Sequence, residues 1–259
     1  AGGTVVFEGD PNSRISLSNN DSGASNTIFG KTAGDSDGDG DFNVFVGELA
    51  GGTGTQTDDC DYNVGVGYNV LTDITTGQGN TCIGMNAGDD ITDGEFNVII
   101  GQSTGSTTTS VDKVTAIGAD AMNRALEADA DGSVAIGYNS MNLLTSGIGN
   151  VAVGAYTLDA NGTSDYNTAV GHQALSAVNS NDTGYNTAVG YQAGLAVTSG
   201  IYNVAIGSGA GDALTTGSSN TAVGAVSLSM ATTALNNTAV GFNAMSDVQA
   251  AVAVDGCVA

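Results

Sequence analysis

Residues 186–194 read NTAVGYQAG, and residues 167–175, nineteen positions earlier, read NTAVGHQAL. Nearly the whole chain is written in variants of this phrase. With its Asn taken as the first position of a unit, units begin at Asn26, Asn43, Asn63, Asn80, Asn97, Val114, Ser133, Asn150, Asn167, Asn186, Asn203, Asn220 and Asn237. Nine of the twelve intervals are 17 residues, and the other three are 20, 19 and 19. The fifth position is Gly in all thirteen units, the fourth is always Val, Ile or Phe, and the first is Asn in eleven. Near-invariant positions at a nearly fixed period mark a stack of structural units. The phrase is therefore building material before it is a site.

Each unit reads as a short strand over its second to fourth positions, entered at Asn and left at Gly. Seventeen residues are too few for a strand plus a crossover helix, so the neighbours of each strand must be the same strand in adjacent units. The expected fold is all-β: a parallel β-solenoid with one coil of about 17 residues per repeat. Residues 1–25 lack the repeat and read as an N-terminal cap or junction. Residues 26–250 form the solenoid of thirteen repeats, and 251–259 are a worn C-terminal copy (AVAVD from Ala251) or tail. At a strand spacing of ~4.8 Å the coils make a rod on the order of 60 Å long.

Two-residue alternation puts the second position (Thr or Val) and the fourth on one face and the third on the other. The third position is Ile28, Phe45, Gly65, Cys82 and Ile99, then Ala in every unit from Ala116 to Ala239. Both faces read as buried. One packs on the eighth and ninth positions of its own coil, such as Ala and then Gly194, Leu175 or Met245. The Ala column reads as facing a shared axis where only a small side chain fits, so a homotrimer is expected. The Asn of the first position reads as a turn residue that stacks into an amide ladder, and the Gly of the fifth as a corner. These structural positions are clearest in the last five units: Asn167 and Gly171, Asn186 and Gly190, Asn203 and Gly207, Asn220 and Gly224, Asn237 and Gly241. A second Gly at the fifteenth position (Gly40, Gly77, Gly94, Gly147, Gly200, Gly217) marks the return turn. An outer aromatic column precedes the Asn, at Phe42, Tyr62, Phe96, Tyr166, Tyr185 and Tyr202.

Composition agrees. There are 40 Gly, one Pro, no Trp and 41% apolar residues, which suits many thin layers better than one bulky core. With only Arg14, Lys31, Lys113 and Arg124 against a formal charge of -23, nucleic acid and anionic membranes are excluded as expected partners. No apolar run approaches the ~20 residues of a membrane span, and no leader pattern opens the chain. Cys60, Cys82 and Cys257 form neither a disulfide framework nor a zinc pattern. Cys82 reads as a small buried hydrophobe in the third column.

The units NTAVGYQAGLAVTSGIY (186–202) and NVAIGSGAGDALTTGSS (203–219) resemble the head repeats of trimeric autotransporter adhesins, and still more the NTAVGYQAL-type repeats of phage tail-fibre proteins. The resemblance covers about residues 26–250. It implies a left-handed β-roll, three chains closely packed or intertwined, and a fibre or spike at a virion surface or outside a cell. Attachment to a host surface follows, through a receptor or glycan that the repeats do not identify, with other virion proteins at the termini. The chain shows no heptad stalk, no anchor strands and no self-cleaving chaperone domain, so a processed or short phage fibre is expected ahead of a bacterial cell-surface adhesin head.

No enzymatic activity is expected. His172 stands where other units place Tyr68, Tyr138, Tyr191 or Phe242, and no Ser or Thr has a recognisable base. No cofactor is required. Asp35, Asp37, Asp39 and Asp41, in a DxDxDG run, have the spacing of a calcium loop without the Glu or helices of an EF-hand. Asp58/Asp59, Asp89/Asp90 and Asp129/Asp131 read as solvated turns. Inserted residues ahead of Asn63, Ser133 and Asn186, among them Asn181 and Asp182, read as loops suited to recognition. A Thr-rich second column (Thr27, Thr81, Thr115, Thr168, Thr187, Thr221, Thr238) raises ice binding as a minor alternative, weakened by Val in the other units.

Overall fold

A computed structural model describes residues 13–16 (backbone only), 25–35, 39–124, 130–179, 184–247 and 256–259. They form one fourteen-stranded sheet whose strands follow in chain order. Strand β1 (Ser13–Ser16) pairs antiparallel with β2 (Thr27–Lys31) and covers the first edge. From β2 through β3 (Val44–Val46) to β14 (Thr238–Val240) every pairing is parallel, one strand per repeat. The chain is an all-β parallel solenoid with a 17-residue period and no α-helix among the described residues.

Register holds unit to unit: Thr168, Ala169 and Val170 pair with Thr187, Ala188 and Val189 across a 19-residue interval. Val44 and Val46 pair with Val64 and Val66 across the 20-residue one. At the far end Thr238 N–H donates to Cys257 O and Val240 N–H to Ala259 O, so residues 256–259 cover the last strand.

Three left-handed residues per coil make the turns. They stand at the seventh position, the ninth, and the position just before the Asn, as in Gln173 (φ 57°), Leu175 (φ 50°) and Tyr185 (φ 47°). For a bulky side chain this conformation costs about 1–2 kcal/mol. Leu71, Met122, Met141, Leu158, Leu175 and Leu228 accept it because the ninth position aims into the core, where each is buried. The fifth-position Gly is different: its φ is 129–148° in the strand-to-corner step. A Cβ on Gly190 would lie 2.5 Å from Gly207 O in the next coil. Only glycine fits that conformation and that approach together.

The core corrects the expected orientation of the strands. The third position points into the chain's own interior: Phe45, Cys82, Ile99 and the alanines from Ala116 to Ala239 are buried within a single chain. The second and fourth positions point outward and are half-buried or exposed. The Ala column therefore does not face an intermolecular axis. The slot is shared with the eighth, ninth and twelfth positions of the same coil, and each bulky third-position residue is matched by Gly at the ninth. Ile28, Phe45, Cys82 and Ile99 lie against Gly34, Gly51, Gly88 and Gly105, whereas Gly65 lies against Phe45 of the preceding coil and Val70 of its own. A Cβ on Gly51 would lie 2.6 Å from the Phe45 ring. The twelfth position completes the slot with Ile74, Ile91, Leu144, Val178, Val197 and Leu214, all buried.

Candidate functional site

Buried along the rod runs an amide ladder. Asn203 N–H donates to Asn186 Oδ1 at 2.9 Å, and Asn203 Nδ2 donates to the same oxygen at 3.2 Å and to Gly217 O at 2.8 Å. Asn220 and Asn237 repeat the first two bonds, each on the Asn one coil back. Asn186 likewise bonds Asn167 Oδ1 with both donors, at 3.1 Å. Where Ser133 replaces Asn, its hydroxyl accepts from Asn150 N–H at 3.2 Å and donates to Gly147 O. These residues build the scaffold and are withdrawn from any ligand.

A second ladder, two positions before the Asn, runs the other way and was not foreseen. Asp41, Glu95, Asp112 and Ile148 each donate a backbone N–H to the carboxylate of the next coil, at Asp61, Asp112, Asp131 and Asp165, over 2.7–2.9 Å. In the sequence these acids look like solvated turn residues. The only signal is their spacing of one period.

The residues of the calcium-like run separate in function. Asp37 lies outside the described residues, as do Asp129, Asn181 and Asp182. Asp41 joins the acid ladder through its N–H, and a hydrogen bond with Asp39 raises the Asp58 carboxyl above its ordinary value. Among the described residues no three metal-ligating side chains come together.

Three surfaces remain open to partners. The first is the outward sheet face, made of the second and fourth columns. Phe29, Ile83, Ile136, Val189, Ile206 and Val240 are all exposed there, the last at 58%. Its seven threonines also point outward. The second surface is the aromatic column before the Asn, in which Tyr166, Tyr185 and Tyr202 stack at 5.2 Å centroid spacings and Phe42 stacks on Tyr62 at 5.1 Å.

The third surface lies beyond the glycine corner. Tyr138, Tyr156, His172 and Tyr191 make a chain of ring contacts over four coils, with centroids 5.3–5.9 Å apart. His172 stacks on Tyr191 and is a member of this strip. Beside the strip a polar groove follows the seventh and tenth positions. Burial raises the carboxyls of Asp159 and Asp212 there, and burial with Asp90 nearby pushes Asp89 up to about 6. Oδ1 of each of the three is buried without a hydrogen-bond partner.

The thiols offer no reactive group among the buried residues. Cys60 is pushed up to about 12 by burial and by Asp61, and Cys82 is raised by burial alone. No helix among the described residues is long and apolar enough to cross a membrane. No protein-family model matches the chain, and no curated protein does either.

Proposed function

We propose that the chain is the shaft or head segment of a homotrimeric extracellular fibre, carried on a virion as a tail or capsid fibre, that attaches to a host surface. The observation that carries this reading is the outward sheet face. Thirteen stacked strands about three residues wide present a flat, largely Thr/Val/Ile strip on the order of 600 Å², before the flanking aromatics are added. A strip of that size is in the range of functional surface patches, and on a stacked solenoid it is covered most simply by copies of the same chain around a common axis. The axis is assigned to the second and fourth columns. The left-handed sense of the roll is carried over from the repeat resemblance.

Light scattering tests this. The expected mass is three times the 25.4 kDa chain, and a monomeric mass overturns it. Ile206→Asp, on the outward face, is expected to shift the mass toward the monomer without loss of β-structure. Calorimetry with calcium chloride tests whether Asp35, Asp37, Asp39 and Asp41 take up a cation, and absence of heat ends that reading. The same repeats would serve a bacterial surface adhesin, and imaging of the native particle separates the two.

The outward threonines also support a second reading, ice binding by the flat sheet. Thermal hysteresis by the purified chain would favour it, and its absence rules it out.

A further inference from the structure

The coil that begins at Asn150 breaks its own pattern. Its sixth position is Ala155, and its aromatic residue is moved one place on, to Tyr156 at the seventh. That column is left-handed in every coil, and Asn69, Asn86, Asn139 and Asn243 occupy it at little cost. Tyr156 holds φ 55° there and is half-buried, and Leu49 and Val226 hold the same conformation in the same column. The shift carries a ring from the aromatic strip toward the polar groove.

A cavity of about 170 Å³ opens at that point, lined by Asn139, Asn142, Leu143, Tyr156, Asp159 and Ala160. The Tyr156 plane is turned 89° from Tyr138 and 74° from His172, so neither neighbour lies flat on its faces. Asn142 is held in place by Nδ2 bonds to Asp120 O at 2.9 Å and Asn139 Oδ1 at 3.3 Å. Asp159 Oδ1 is buried without a hydrogen-bond partner of full geometry, and the Asp159 and Ala160 backbone N–H groups lie near enough to oppose the upward effect of burial on the carboxyl. Asp89 and Asp212 hold the same position with the same unpartnered oxygen, beside Asn86 and Gly209. The tyrosine is what the Asn150 coil adds.

We propose that this groove is a binding site for one neutral sugar ring of a surface glycan. A pyranose presents an apolar C–H face that packs flat on an aromatic ring, and a rim of hydroxyls that donate to a carboxylate and exchange bonds with amides. Asp159 and the acidity of the chain disfavour anionic sugars. The proposal deepens the attachment reading and rests on it for the source of the glycan, while its chemistry stands on the groove alone.

Saturation-transfer NMR on the full chain, with the methyl glycosides of glucose, galactose and N-acetylglucosamine as probes, tests it. Transfer to the ring protons of at least one glycoside is expected, with affinity lowered about tenfold or more by Tyr156→Asn and by Asp159→Asn. Tyr156→Asn installs the residue this column favours, so the variant is expected to fold at least as well as the parent. Tyr202→Ala, in the other aromatic column, is expected to bind unchanged. No transfer to any of the three, or transfer that Tyr156→Asn leaves intact, overturns the site. Full attachment to host cells by Tyr156→Asn also overturns it and leaves the fibre reading standing, whereas a monomeric mass strikes the fibre reading and leaves the sugar site untouched.

Discussion

Phe45 and Gly51 share one slot: the ring at the third position fills the space that a Cβ at the ninth would need, 2.6 Å away. The same two columns carry the bulk on the other side at Ala152 and Leu158, both buried, and a coupling between them is expected there too. Ala152→Phe is expected to overpack its coil at a cost of about 1–3 kcal/mol, and Leu158→Gly to leave a cavity costing about 2–5 kcal/mol. Made together, they are expected to cost less than the sum, with a coupling of about 1–3 kcal/mol. Urea unfolding of the two single variants and the pair measures it, and strict additivity would show that the columns are independent.

The fifth-position glycines are expected to differ by place in the stack. Gly190 has Gly207 O above it, whereas a Cβ on Gly241 meets nothing within 4 Å among the described residues. Both have φ near 130–140°, so both substitutions to Ala carry a conformational cost of about 1–3 kcal/mol. Only Gly190→Ala adds the collision with the next coil. It is expected to lower Tm well beyond Gly241→Ala, and equal losses would refute a stacking requirement.

Asn186→Ala removes the acceptor for two donors of Asn203 and a donor to Gly200 O. A buried backbone N–H left without an acceptor costs about 1–3 kcal/mol. Asn186→Ser is expected to recover part of that loss, as Ser133 does naturally through its bond from Asn150 N–H. Hydrogen exchange at the Asn203 amide is the direct readout, and protection unchanged in Asn186→Ala would remove the ladder from the stability account.

Stability is expected to rise on acidification. Burial raises the carboxyls of Asp89, Asp90, Asp159 and Asp212 above the ordinary 3.8, Asp89 to about 6. A folded state with the higher pKa binds the proton more tightly than the unfolded chain, so the contribution is complete below the ordinary value and is lost as pH rises through about 6. Tm is expected to climb between neutral pH and about pH 5, aided by relief of the charge of -23. Asp89→Asn is expected to raise Tm at neutral pH and to flatten the slope. A Tm that falls over this interval contradicts the assignment.

The period, the strand positions and the glycine corner are legible in the sequence because stacking forces the same residue type into the same place in every coil. The direction of the strand faces is not legible from alternation alone. Thr187 and Val189 on one side and Ala188 on the other are all compatible with burial, so pleat parity separates the faces without saying which is inside. The deciding signal lay elsewhere, in the matching of Ile28 with Gly34 and Phe45 with Gly51, where the bulky third-position side chain fills the space a Cβ at the ninth would need. The left-handed turns hide for a related reason: Leu175 and Met245 are poor residues for that conformation, and only their place in the core explains them. The Tyr156 groove was missed because one aromatic residue moved by one position looks like noise until the ring is seen beside Asp159.

Register that passes undisturbed from Val44 to Val64 over 20 residues, and from Thr168 to Thr187 over 19, has a consequence for how such a chain changes length. Each coil adds one strand spacing, about 4.8 Å, whatever its loop contains. The rod is thus a ruler graduated in whole coils: gain or loss of a repeat resets its reach by one step, and residues added at the turns alter its outline without altering its span.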